Sequence, residues 1–173
     1  MTTALSEVAR LVVESHGAAP CAAAAASMSG RRGDGAFGHI TREPGSPHVR
    51  PETPFDLASV SKPFLAVTVA RLVRQGRIAL EEPLGGALPA LADTDAGSSS
   101  LELLLAHRSG LAAHRQLYLP LIEGRPLDRE HAIREACANR PECSGPRPRD
   151  GFAPVYSDMG YLCLLYTSQS PRD

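Results

Sequence analysis

The chain has 173 residues and a formal charge of −1, from 18 Lys and Arg against 19 Asp and Glu. That balance argues against a nucleic-acid-binding protein, which carries a basic excess. A hydrophobic share of 43% with 21% charged residues argues against a disordered chain, and no apolar run reaches the ~18 residues of a membrane-spanning helix.

The length suits one domain. Four cysteines (Cys21, Cys137, Cys143 and Cys163) form no Cys-x-x-Cys pair and show no ligand spacing with the six histidines, so neither a metal site nor another cofactor is expected. The 18 basic residues are 17 Arg and a single Lys, Lys62. Arg cannot stand in for Lys where a compact, titratable amine is needed, so the one retained Lys points to a specific use.

Residues 3–16 read as an amphipathic helix, with Leu5, Val8, Leu11 and Val12 at helical spacing and Gly17 as its stop. No basic start followed by a long apolar run is present, so no secretory signal is expected in the sequence as written, and a cytoplasmic location follows. Residues 21–28 and 36–41 are predicted to form a hairpin around a turn at residues 29–35. Residues 42–54 hold four prolines and read as a loop. Residues 55–75 give the strongest helical signal, with Leu65, Val69, Leu72 and Val73 on one face, Pro63 near the start and Gly76 at the end.

Further along, residues 78–89 read as a loop with apolar anchors and 93–100 as a polar linker. Ser99 and Glu102 have capping-box spacing ahead of a short helix over 101–107. Asp128 is predicted to cap a helix that runs to about residue 139. A loop over 140–154, with Arg147 and Arg149 solvated, precedes a helix beginning at 156–162. Residues 163–173 differ by one residue from the peptide encoded by a common transposase sequencing adapter, so a native part at 1–162 and a non-native tail at 163–173 are expected.

Ser59-Val60-Ser61-Lys62 places a hydroxyl and an amine three residues apart at a helix start. That spacing puts both on one helix face, with Cβ atoms about 5–6 Å apart. A Ser hydroxyl is a weak nucleophile until a neighbour handles its proton, and a helix N-terminus favours negative charge developing there. The bare pattern also fits a helix N-cap beside a surface Lys.

The wider context holds four stretches: Phe55-Asp-Leu-Ala-Ser-Val-Ser-Lys62, Gln75-Gly-Arg-Ile-Ala-Leu-Glu-Glu-Pro83, Leu103-Leu-Leu-Ala-His-Arg-Ser-Gly-Leu111 and Tyr156-Ser-Asp158. Together they resemble the serine β-lactamase and penicillin-binding-protein family. The nearest branch is that of class C β-lactamases, D-alanyl-D-alanine peptidases and family VIII esterases. The resemblance implies an α+β fold, an antiparallel sheet with flanking helices beside a helical subdomain, of which this chain is an N-terminal fragment, inactive alone. It also implies Ser59 as nucleophile, Lys62 as its proton partner, Tyr156 as base or relay, and a small ester, β-lactam or D-alanyl peptide as substrate.

Asp158 stands where Asn is commoner in that family. A carboxylate there favours the Lys62 ammonium, which makes Tyr156 the expected proton acceptor. The family's Lys/His-Thr/Ser-Gly motif does not occur in the 173 residues and is expected beyond them. His107 and Ser109 are expected to form a structural turn near the site, and His16, His39, His48, His114 and His131 to be solvated. Two alternatives stay open: a non-catalytic binding protein on the same fold, and a small all-α interaction domain. Between the hydrolase substrates, an ester is favoured.

Overall fold

The computed structural model describes residues 2–169, in two compact units that divide after Asp56. The fold is α+β, with a two-stranded antiparallel sheet in the first unit and a cluster of helices in the second.

In the first unit, helix α1 (Thr2–Arg10) continues into a π-helical turn at Leu11–Ser15 and packs on a hairpin of β1 (Cys21–Met28) and β2 (Arg31–Gly38). Met28 pairs with Arg31, so the turn is two residues long. Ser29 and Gly30 both take positive φ, 50° and 76°, as a type I′ hairpin turn requires. The expected turn over residues 29–35 is therefore too long, and β2 starts at Arg31.

The misreading came from Gly33 and Gly35, which look like turn residues but are buried within the strand. A Cβ on Gly35 would lie 2.4 Å from the Ser6 backbone nitrogen, so this glycine lets α1 lie close on the sheet. Beyond β2, His39 and His48 are both exposed, as expected, and face each other across an isolated antiparallel bridge with ring centroids 4.1 Å apart.

The second unit begins with a 3₁₀ turn at Ala58–Val60 and helix α2 (Ser61–Arg74). Short helices α3 (Leu84–Ala87), α4 (Leu101–Leu105) and α5 (Leu119–Ile122) follow, then α6 (Arg129–Ala136) and α7 (Asp158–Gln169). Helix α7 is the hub and packs against α2, α3, α4 and α6. Val69, Leu84, Leu101, Leu104, Leu111 and Leu164 have no more than 1% exposure and fill the core around it. Each such side chain contributes about 1.5–3 kcal/mol by leaving water.

Asp128 caps α6 as expected, its carboxylate accepting from the His131 N–H at 3.0 Å. The cap of α4 is Ser100, whose Oγ accepts from the Leu103 N–H, while Ser99 is buried one position earlier. The Arg147 guanidinium is half-buried and bonded to the protein, where a fully solvated side chain was expected. It donates to the Ser109 and Asp95 carbonyls and to the Ser98 hydroxyl, pinning the 140–154 loop to the turns at residues 95–98 and 109.

Helix α7 runs past residue 162. Residues 170–173 of the expected non-native tail lie outside the described residues. No helix among the described residues is long and apolar enough to cross a membrane.

Candidate active site

Ser59 sits in the 3₁₀ turn that feeds α2, with Ala58 before it at φ +44°. An L-residue in the left-handed region costs about 1–2 kcal/mol. Such strain is found where surrounding structure fixes a functional backbone, and it sets the direction from which Ser59 enters the helix. The sequence gives no sign of it, since nothing about Ala predicts a positive φ. Pro63 falls in the first turn of α2, where its missing N–H costs no helical bond.

Lys62 lies one turn on, and its Nζ donates to Ser59 Oγ at 3.1 Å and to Asp158 Oδ1 at 2.6 Å. The Lys62 side chain is only 14% exposed. Its amine also stands 4.7 Å from the Tyr156 ring centroid and 5.8 Å from that of Tyr161, within cation–π range.

The Tyr156-Ser157-Asp158 segment is held by its backbone. The Val155 N–H donates to the His107 carbonyl at 3.0 Å, the Ser157 N–H to His107 Nδ1 at 3.0 Å, and the Asp158 N–H to the Ala113 carbonyl at 2.8 Å. Ser157, buried, donates its hydroxyl to the Ala112 carbonyl and accepts from the Gly160 N–H, which makes it the N-cap of α7. With Ser157 doing the capping, the Asp158 carboxylate turns to Lys62 instead.

His107 accepts a backbone N–H at Nδ1, so that nitrogen carries a lone pair. Its ring lies 4.7 Å from that of Tyr156 and 5.1 Å from that of Tyr161. Burial, then the nearby Lys62 charge, pushes its pKa below 6.5.

The electrostatics favour a charged cluster. Burial works against the Lys62 ammonium, but hydrogen bonds to Asp158 and Tyr156 outweigh it, and the pKa rises above 10.5. Hydrogen bonding to Lys62 holds the Asp158 carboxyl below 3.8, with a smaller contribution from His114. Hydrogen bonds from Ser59 and then Lys62 bring the Tyr156 phenol below 10.0.

The four residues picked out in the sequence, Ser59, Lys62, Tyr156 and Asp158, thus lie together. A cavity of about 440 Å³ lined by Ser59, Lys62 and Asp158 has Leu65, Met159 and Leu162 as apolar walls. One neighbour was missed: His114 Nδ1 lies 3.4 Å from Asp158 Oδ2. It sits in a loop, where no spacing rule ties it to residue 158. Among the described residues, no three His, Cys, Asp or Glu side chains gather as a metal-ligand set.

Comparison with known proteins gives a consistent outcome. The family model for beta-lactamases matches residues 8–166. Esterase EstB of Burkholderia gladioli is 44% identical over 80 residues, a match covering 44% of this chain and 20% of the esterase. A class C beta-lactamase in complex with cefoxitin superposes with a TM-score of 0.67 at 18% identity, over 96% of this chain and 44% of that one. The class C beta-lactamase from Rhodobacter sphaeroides gives 0.60 at 24% identity, over 96% and 42%. The chain therefore spans less than half the length of the relatives it matches.

Proposed function

The chain belongs to the beta-lactamase family, and on that premise we propose that it carries the nucleophile-bearing part of a serine hydrolase that works through an acyl-enzyme, with an ester as its favoured substrate. The observation that carries this reading is the Lys62 amine held between Ser59 Oγ at 3.1 Å and Asp158 Oδ1 at 2.6 Å, with Tyr156 beside it.

In this reading Tyr156, as phenolate, takes the Ser59 proton while Ser59 Oγ adds to the substrate carbonyl carbon. Collapse of the tetrahedral adduct breaks the bond to the alkoxide, which receives that proton from Tyr156. Water then adds to the acyl-enzyme carbonyl, giving its proton to Tyr156. Return of that proton to Ser59 Oγ releases the acid. Lys62 stays an ammonium throughout and supports the phenolate. The Ser59 backbone N–H, at the helix start, serves as one oxyanion donor. The second donor belongs to the strand bearing the Lys/His-Thr/Ser-Gly motif, which is not within the 173 residues.

Asp158 supports the ester preference. An ionised carboxylate only accepts hydrogen bonds, whereas an Asn amide also donates. An acylamino carbonyl of a β-lactam would find no donor at this position. The similarity to an esterase over 80 residues points the same way.

The test is a side-by-side assay of the complete enzyme on p-nitrophenyl butyrate and a cephalosporin. A burst of one p-nitrophenolate per site, absent in Ser59→Ala, and slower cephalosporin opening are expected. Faster cephalosporin turnover would reverse the substrate assignment. No turnover of either would favour a binding protein on the same fold.

A further inference from the structure

We propose, resting on the roles given above to Ser59, Lys62 and Tyr156, that His114 is a positioning residue that holds the Asp158 carboxylate against Lys62. The two carboxylate oxygens face two different side chains. Oδ1 takes the Lys62 amine at 2.6 Å, and Oδ2 faces His114 Nδ1 at 3.4 Å.

The backbone delivers His114 to this place. The Ser157 hydroxyl donates to the Ala112 carbonyl at 2.7 Å and the Asp158 N–H to the Ala113 carbonyl at 2.8 Å. Residues 112–113 are therefore pinned to the start of α7, and the next side chain along is His114.

Asp158 needs such a restraint. Its side chain is 44% exposed and stands in the first turn of α7. There it has two competing directions, outward to water or back onto the positive N-terminus of its own helix. Either would leave Lys62 without the partner that keeps it an ammonium and aims it at Ser59. Among the described residues, few groups face the pair. Lys62 meets Ser59, the Tyr156 hydroxyl and the Tyr161 ring, with the His107 imidazole nearby; Asp158 meets Lys62 and His114. An Nδ1–H on His114, neutral or charged, supplies the required donor.

The chain's single lysine makes this measurable without turnover. Labelling the 173-residue chain with ¹³C,¹⁵N-lysine leaves one side-chain signal to titrate, that of Lys62. Asp158→Asn should lower its midpoint. His114→Ala should lower it in the same direction by roughly 0.2–0.7 pH unit, the size expected of a half-exposed contact. His114→Asn, whose amide can donate from nearly the same place, should restore the wild-type midpoint. A structural role alone would not give that rescue.

Movement in Asp158→Asn with none in His114→Ala would overturn the proposal, as would an Ala effect that Asn fails to reverse. A site that never acylates would overturn the functional reading yet leave this titration readable, so the two failures are distinguishable.

Discussion

Lys62 keeps its charge in a place that discourages one. Its side chain is largely buried, and burial alone would lower its pKa; Asp158 and Tyr156 reverse the sign. An amine held as ammonium cannot accept the Ser59 proton, so in the proposed mechanism it serves to lower the cost of a phenolate at Tyr156. Two expectations follow at this scale. Lys62→Arg in the complete enzyme should lose about 10²-fold or more in kcat/KM, because the planar guanidinium cannot make both short contacts of a compact amine; near-wild-type turnover in that variant would show that any positive charge suffices. The acylation rate should climb as pH rises through the Tyr156 pKa, below 10.0, and fall only as Lys62 loses its proton above 10.5. The ion pair's contribution to stability has matching limits. Asp158, depressed in the folded state, contributes fully above about pH 4 and is lost as pH falls through its folded value below 3.8. Lys62, raised, contributes below 10.5 and is lost above its folded value. A stopped-flow pH profile and pH-dependent melting check these separately.

The elements that carry the site differ in how much of them the sequence discloses. Helix α2 and the Asp128 cap of α6 follow from apolar spacing and one capping residue, and the structure has both. The hairpin was harder to read, because Gly33 and Gly35 carry turn-like chemistry but sit in β2 beneath α1; which contact a glycine serves is decided by tertiary packing that no local pattern records. The four candidate site residues were legible because each belongs to a motif with fixed spacing. His114 and the strained Ala58 were not, since one depends on a loop meeting α7 and the other on a backbone angle. Ser157 gives a sharp test. Ser157→Ala removes the α7 cap and the donor to Ala112, so a loss of about 1–3 kcal/mol is expected by denaturant melting; an unchanged midpoint would show that the segment is held by its backbone bonds alone. Gly35→Ala should likewise destabilise the first unit by about 1–3 kcal/mol, since the new methyl group meets the backbone of α1.

At the scale of the molecule, the two units are unequal. The second has its own buried core around α7, while among the described residues β1 and β2 pair only with each other. A two-stranded hairpin is marginal in water. Native-state hydrogen exchange should therefore show fast exchange in β1 and β2 and the slowest amides in α7 and α4; equal protection in both units would contradict this. On α2 and the 3₁₀ turn before it, Val60, Phe64 and Val67 are each more than half exposed. The expectation that residues 163–173 are foreign stands as a proposal, tested by reading the genomic codons after Leu162. The central claim, that Ser59 is the nucleophile of a serine hydrolase, is tested most directly by fluorophosphonate labelling of the complete enzyme followed by peptide mass spectrometry. One adduct is expected, on the peptide containing Ser59, and none in Ser59→Ala; an adduct that persists in Ser59→Ala, or falls on another peptide, would contradict the account.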